Sequence, residues 1–256
     1  MQRRNWTYEE TLVAFDLYTQ IPWEKISSRN EEIIAVAKRM GRTPAALSMK
    51  LDNLARLDVA VTSKGFSSLT HGASVEKKIW DEFYKDRDLL LEKIEKSKQI
   101  VFKDSYDKEN CAEEIIIPEG SDKFVIAKQR VGQEFFRRAV LSSYDMKCCI
   151  TGMAVPRFLQ ASHIKPWRYS SADEKTNPHN GLCLNLLHHV AFDEGYITVS
   201  KEHKIVVSKS FRKDYSKDEV TKQFIQYTEN RPIMMPKKFM PMDIFFEYHR
   251  DMVFRP

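Results

Sequence analysis

One segment of this 256-residue chain, residues 148–193, restricts more than any other what the chain can fold into. His163 lies in a short run that alternates apolar and polar residues, which predicts a strand. Asn180 follows in a turn-forming stretch, and the adjacent residues His188 and His189 begin a helix-forming run. A strand–loop–strand–helix unit can fold these positions around one divalent ion, so the spacing suits one compact metal-dependent site.

Three stretches in this segment carry a family resemblance: ASHIKPW, NPHNGLCL and HHVAFDEG resemble the HNH endonucleases, in the branch of restriction endonucleases. The preceding RVGQEFFRRAVLSSYDMKCCITG and the terminal FFEYHRDMVF also resemble that branch, so the resemblance covers roughly residues 125–256. It implies a ββα-metal fold and a metal-dependent endonuclease that hydrolyses the phosphodiester bonds of DNA. It also implies a restriction or defence role.

Phosphodiester hydrolysis requires an activated water and a positive charge close to the phosphate. His163 is the predicted general base, because a neutral imidazole accepts a proton near neutral pH and because it matches the first histidine of the family motif. Asn180 matches the middle position and is predicted to be catalytic, and we expect its amide to tie the loop to the strand of His163. His189 matches the next position by its spacing from Asn180, and it is predicted to be catalytic as the favoured metal ligand.

The other metal ligands are left open by the sequence. Asp193 lies one helical turn after His189, where it is a second ligand or orients the histidine. His188 points about 100° away from its neighbour on a helix, and is a ligand in an alternative register or a phosphate contact. Many family members carry Asp or His where this chain has Ser162, and serine is a poor ligand for a hard cation. The resemblance implies one divalent ion, and Mg or Mn is expected.

Basic residues are concentrated before and within this segment. The formal net charge is +5, and between residues 123 and 168 only Glu134 and Asp145 oppose a series of lysines and arginines. Such a block attracts a polyanion, and double-stranded DNA is the expected partner. Because one active site cuts one strand, a homodimer is a further expectation. The predicted nucleic-acid contacts are Lys165, Arg168, Arg137, Arg138, Lys50 and Asn53.

The predicted fold class is α+β, in three parts. Residues 1–60 are predicted to form a three-helix, helix-turn-helix-like module, residues 61–113 a linker and connecting helix, and residues 114–256 the ββα-metal HNH nuclease domain. Cap residues such as Thr7 and Thr43 indicate where helices of the first part begin. WTYEE and GRTPAALSMKLDNL resemble Myb/SANT-like modules, and DNA contact and protein packing both remain open as the role of this part.

Composition argues against several other classes of protein. No apolar run approaches the roughly 18–20 residues of a membrane span, and MQRRNWTYEE lacks the apolar core of a secretory signal. A cytoplasmic protein without a membrane partner is therefore expected. The cysteines, Cys111, Cys148, Cys149 and Cys183, show no paired CxxC spacing, so a structural zinc is not expected.

Two competing functions remain open at this point. The first is a non-catalytic DNA-binding protein with a degenerate HNH finger, and Ser162 is the feature that favours it. The second is a homing or mobile-element nuclease, which differs from a restriction enzyme in its substrate rather than in its chemistry.

Overall fold

The computed structural model of the chain describes residues 4–63, 74–103 and 122–256, the side chains of residues 122–128 excepted. Cys111 and the domain boundary predicted between residues 113 and 114 lie outside the described residues. The chain divides into two compact units, Met1–Phe135 and Phe136–Pro256. The bounds of the three predicted domains stay predictions.

The first unit is helical. Its helices begin where short polar side chains cap them: the Thr7 hydroxyl and the Glu10 carboxylate form a reciprocal capping box, and Thr43 caps the helix that Pro44 opens. These helices are α1 (Tyr8–Gln20), α2 (Glu31–Arg39), α3 (Pro44–Ala55), α4 (Val59–Thr62), α5 (Ser74–Lys85) and α6 (Arg87–Val101). Helix α7 (Asp122–Ser143) contains the division between the two units.

An aromatic cluster forms the core of the first unit. Phe15 of α1 meets Trp80 of α5 edge to face, with the ring centroids 5.4 Å apart, and Phe83 packs against both rings. The Trp80 indole N–H donates to the Leu54 carbonyl of α3 at 3.0 Å. Helix α6 also packs along α1. Helices α5 and α6 therefore share one core with α1 and α3, and a separate helix-turn-helix module stays a prediction.

The structure contradicts the prediction that Lys50 contacts DNA. Lys50 is 5% exposed, and its ammonium lies 2.6 Å from the carboxylate of Glu76, which is also buried. The ammonium also lies 4.9 Å from the centroid of the Trp6 ring. The Lys50 ammonium is therefore paired with a carboxylate inside the first unit and does not face solvent. Asn53 is half-buried on the same helix, and its DNA contact stays a prediction.

The second unit contains the predicted ββα order. Strand β1 (Leu159–His163) pairs antiparallel with β2 (Gly181–Asn185), and β2 leads directly into the short helix that carries the histidine pair. A second antiparallel pair follows, formed by β3 (Ile197–Val199) and β4 (Ile205–Val207). The helices of this unit after α7 are α8 (Ala172–Thr176), α9 (Leu186–Asp193), α10 (Lys209–Tyr215), α11 (Glu219–Thr228) and α12 (Asp243–Met252). This arrangement is α+β, mostly helical with two small antiparallel sheets.

Helix α7 covers the β1–β2 pair at a glycine. A Cβ atom added to Gly181 would lie 2.3 Å from a methyl carbon of Val140 and 3.1 Å from the ring of Phe136. Gly181 pairs with His163 across the ladder, so the helix packs directly over the end of β1. The absence of a side chain at this position is thus what lets α7 reach the predicted base.

None of the helices in the described part of the chain combines the length and apolar character needed to cross a lipid bilayer.

Replacing Lys50 tests its structural role. We expect Lys50→Met to lower the free energy of unfolding by about 3–5 kcal/mol, because the buried Glu76 carboxylate loses its counter-charge. The double variant Lys50→Met, Glu76→Gln should recover part of that loss. Urea denaturation measures both, with Lys25→Met at an exposed position as the control. Equal unfolding midpoints for Lys50→Met and Lys25→Met would contradict the assignment.

Candidate active site

His163 ends strand β1 with one ring nitrogen already engaged. Its Nε2 lies 2.9 Å from the backbone carbonyl oxygen of Lys175 in α8. A carbonyl only accepts, so Nε2 carries the ring proton and donates it. The other nitrogen, Nδ1, therefore bears the lone pair. The carbonyl that orients this ring comes from twelve residues further along the chain.

Aromatic rings enclose the His163 imidazole. The Phe136 ring stacks on it with a centroid distance of 3.8 Å and an interplanar angle of 8°, and Trp167 meets it edge-on at 5.5 Å. This burial lowers the pKa of His163 to about 4 and outweighs the opposing hydrogen bond to Lys175. At neutral pH the ring is uncharged, which is the state that a proton acceptor requires.

Asn180 is fully buried and ties a loop together. Its side-chain oxygen accepts from the Lys165 backbone N–H at 2.8 Å, and its amide group donates to the Lys165 carbonyl at 3.2 Å and the Glu174 carbonyl at 3.3 Å. Its own carbonyl accepts from the Ile164 N–H, next to the predicted base. Asn180 thus holds the loop that follows β1, as its expected amide role requires. Its part in catalysis stays a prediction.

Three side chains meet between β1 and α9. The Ser162 hydroxyl oxygen lies 2.7 Å from Nδ1 of His189 and 3.3 Å from Oδ1 of Asp193. The second carboxylate oxygen of Asp193 lies 3.6 Å from Nε2 of His189. Partial desolvation raises the pKa of the Asp193 carboxyl, while His189 and the serine hydroxyl oppose the rise. The spacing of four residues on α9 therefore brings the His189 ring and the Asp193 carboxylate together, and their roles as metal ligands stay predictions.

The structure removes His188 from the set of metal ligands. This side chain is 3% exposed and points into the core. Its Nδ1 lies 2.9 Å from the side-chain oxygen of Asn185, and its Nε2 lies 3.1 Å from the hydroxyl of Thr228. Burial lowers its pKa to about 4. With both nitrogens bonded to the protein, it offers no lone pair to a metal or donor to a phosphate.

The side chains predicted to contact DNA in this unit differ in their exposure and in whether the protein already pairs them. Lys165 forms an ion pair with Glu174, at 2.7 Å, so a neighbouring carboxylate already balances its charge. Arg137 is half-buried and donates to the Leu159 carbonyl at 3.0 Å and the Gln160 side chain at 3.1 Å, which secures β1 to α7. Arg138 is half-buried on α7, and Arg168 is exposed. We therefore retain Arg168 as the foremost candidate for a phosphate contact.

Sequence reasoning missed several residues that build the site. The carbonyl of Lys175, the ring of Phe136 and the amide of Gln160 all act over long sequence separations, and no local pattern indicates them. Ser162 was noticed only as a missing ligand, whereas its hydroxyl in fact joins two of the predicted ligands.

Metal-binding side chains are sparse in the described residues. No group of three or more His, Cys, Asp or Glu side chains there is arranged to hold a metal ion. The cysteines of this unit, Cys148, Cys149 and Cys183, are buried free thiols, and burial raises the pKa of Cys149 and of Cys183. They contribute to the apolar core around β1 and β2.

Comparison with known proteins assigns the segment that holds this site. Residues 148–200 match the family model described as HNH endonuclease. A comparison with solved structures finds a modification dependent TagI restriction endonuclease, with 19% sequence identity and a TM-score of 0.34. The match covers 46% of this chain and 37% of that chain, so it spans well under half of the other protein. A comparison with curated protein sequences gives no match.

The protonation of the buried histidines is measurable by NMR. We expect the ring signals of His163 and His188 to titrate with midpoints near 4, because desolvation disfavours the charged ring at both positions. The same signals in the urea-unfolded chain should titrate near the ordinary value of about 6.5. A single-residue variant at each position assigns the signals. A midpoint for His163 equal to that of the unfolded chain would contradict its enclosed environment.

Proposed function

We propose that this chain, which belongs to the HNH endonuclease family through residues 148–200, is a metal-dependent endonuclease that hydrolyses the phosphodiester bonds of double-stranded DNA. The observation that carries the proposal is the uncharged ring of His163, held by a backbone carbonyl at the end of β1. The preceding residue of the same strand contacts both His189 and Asp193. The proton acceptor is thus adjacent on β1 to the residue that contacts both candidate metal ligands of α9.

His163 acts as the general base in this mechanism. Its Nδ1 accepts a proton from water, the resulting hydroxide forms a bond to phosphorus, and the bond from phosphorus to the leaving oxygen breaks. The ring becomes positively charged as it takes the proton. The Lys175 carbonyl stabilises that charge through the bond from Nε2, because a carbonyl dipole favours the protonated ring.

His189 and Asp193 are the groups that fit a divalent ion. Their facing Nε2 and Oδ2 atoms are 3.6 Å apart, close to the separation of about 3 Å between adjacent ligands of an ion with bonds of 2.0–2.1 Å. Magnesium keeps several waters and accepts as few as one or two protein carboxylates, and Mg or Mn suits such a sparse set. When bound, the ion supplies positive charge to the phosphate and the leaving oxygen.

The remaining elements of the proposal concern the substrate. Arg168 is exposed in the turn that follows β1, where a guanidinium can hold a phosphate beside the base. A homodimer would supply two such sites for a double-strand cut. A restriction or defence role in the cytoplasm is proposed from the resemblance of ASHIKPW, NPHNGLCL and HHVAFDEG to restriction endonucleases.

Ser162 favours a second candidate function, a DNA-binding protein that does not cut. Serine replaces the acidic or histidine ligand that many HNH enzymes carry at this position, so that His189 and Asp193 remain as the candidate ligands. Binding of duplex DNA that is unchanged by metal ions, with no cleavage, would support this alternative.

A plasmid-nicking assay tests the role of His163. In the presence of Mg²⁺ or Mn²⁺, we expect His163→Asn to cut supercoiled DNA about 10²–10⁴-fold more slowly, because the variant has no proton acceptor at this place. His203→Asn is the matched control, since His203 lies in the hairpin turn and is part-exposed with a positive φ that asparagine tolerates. Equal rates for the two variants would exclude His163 as the base.

Substitution of the two adjacent histidines is expected to change different properties, metal binding for His189 and stability for His188. His189→Ala should lose binding of Mn²⁺, measured by isothermal titration calorimetry, while its melting temperature stays near that of the parent. His188→Ala should keep Mn²⁺ binding and lower the free energy of unfolding by about 1–3 kcal/mol, because Thr228 loses a buried hydrogen-bond partner. The reverse result would identify His188 as the ligand.

A further inference from the structure

Ser162 occupies the centre of the cluster formed with His189 and Asp193. It is fully buried, and its place on β1 is fixed by the ladder, where it pairs with Leu182 of β2. Its hydroxyl oxygen contacts Nδ1 of the histidine at 2.7 Å and Oδ1 of the carboxylate at 3.3 Å. Because backbone pairing holds the strand, the Cβ atom of Ser162 has a fixed place beside both groups.

The protons in this cluster can be assigned by counting donors. A serine hydroxyl has one proton to donate and can also accept. An ionised carboxylate only accepts, so the bond to Asp193 uses the serine proton. The contact with His189 is then a hydrogen bond only if Nδ1–H of the ring is the donor. For an uncharged ring, both contacts are satisfied together only in this arrangement, which leaves the lone pair of His189 on Nε2.

We propose that Ser162 is a positioning residue that fixes the Nδ1–H tautomer of His189 and turns its Nε2 lone pair towards Oδ2 of Asp193. The two facing atoms are then both acceptors, and their separation of 3.6 Å is longer than a hydrogen bond. Two acceptors that face each other attract a cation, and a serine that binds no metal itself still prepares the site for one. This inference rests on the proposed function for the identity of the cation, but the tautomer exists without it.

The tautomer is read by NMR on the metal-free protein without DNA. Long-range correlations between the ring protons and both ring nitrogens, at about pH 8, show which nitrogen carries the hydrogen. We expect Nδ1–H for His189 in the parent protein, and a shift of the population towards Nε2–H in Ser162→Ala. Ser143→Ala is the matched control, because it removes a buried serine hydroxyl that donates to the Ala139 carbonyl. Nε2–H in the parent, or no change in Ser162→Ala, would overturn the proposal.

A substitution at Asp193 tests the same two hydrogen bonds by removing the final acceptor, the carboxylate. Removing the carboxylate in Asp193→Ala frees the hydroxyl proton of Ser162 to point at Nδ1 of His189. The ring proton should then move to Nε2, although the serine itself is unchanged. The same change in a Ser162→Ala background should add nothing further. Asp251→Ala, at an exposed position of α12, is the control and should leave the tautomer as it is. An unchanged tautomer in Asp193→Ala would contradict the serine link.

Binding of Mn²⁺ separates this inference from the proposed function. By calorimetry, we expect Ser162→Ala to bind Mn²⁺ about 10–100-fold more weakly than the parent, the usual loss when a group that orients a ligand is removed. Ser162→Thr, which keeps the hydroxyl, should retain the affinity. If the parent protein has the Nδ1–H tautomer of His189 but never cuts DNA, the proposed function is wrong and the role of Ser162 stands. If the parent protein cuts DNA with the Nε2–H tautomer, the role of Ser162 is wrong and the proposed function stands.

Discussion

The close packing of α7 on the β1–β2 ladder is the constraint on which the rest of the site depends. Gly181 has no side chain, so Phe136 and Val140 reach the backbone of β2. His163 lies directly opposite that glycine in the register, and the same phenylalanine ring stacks on its imidazole. One contact therefore fixes the helix, buries the predicted base and removes its charge. A larger residue at position 181 would push Phe136 and Val140 away from β2, and with them the ring that stacks on His163.

Desolvation then determines how the buried histidines are used. Burial lowers the pKa of His163, His188 and His249 to about 4, so each is an uncharged ring whose proton is placed by a neighbouring acceptor. For His249 that acceptor is the Phe192 carbonyl, near the end of α9. His189 differs because its partner is a hydroxyl, which can accept or donate. Its tautomer therefore depends on a third group, Asp193, and this makes the end of α9 the chemically adjustable part of the unit.

Much of the local structure follows from short-range signals in the sequence. The Thr7 and Thr43 caps, the alternating strand that ends at His163 and the four-residue spacing from His189 to Asp193 all lie where the residue pattern places them. These features depend on the backbone hydrogen bonds and side-chain geometry of a few consecutive residues, which a pattern records directly. The family match to residues 148–200 extends that agreement to the whole ββα unit.

The residues whose observed contacts differ from their predicted role are those with partners distant in the sequence. From composition alone Lys50 is a basic residue on a short helix, but Glu76, twenty-six positions later, buries its charge. The motif spacing favoured His189 over His188 as the metal ligand, but no local pattern indicated that Thr228 on α11 would engage the His188 ring. The sequence by itself determined the order of elements, the caps and the set of polar groups available for phosphodiester chemistry, because these are local properties. The tertiary structure alone decided which of those groups are buried, paired or left with a lone pair, because burial and proton placement depend on the full set of neighbours in space.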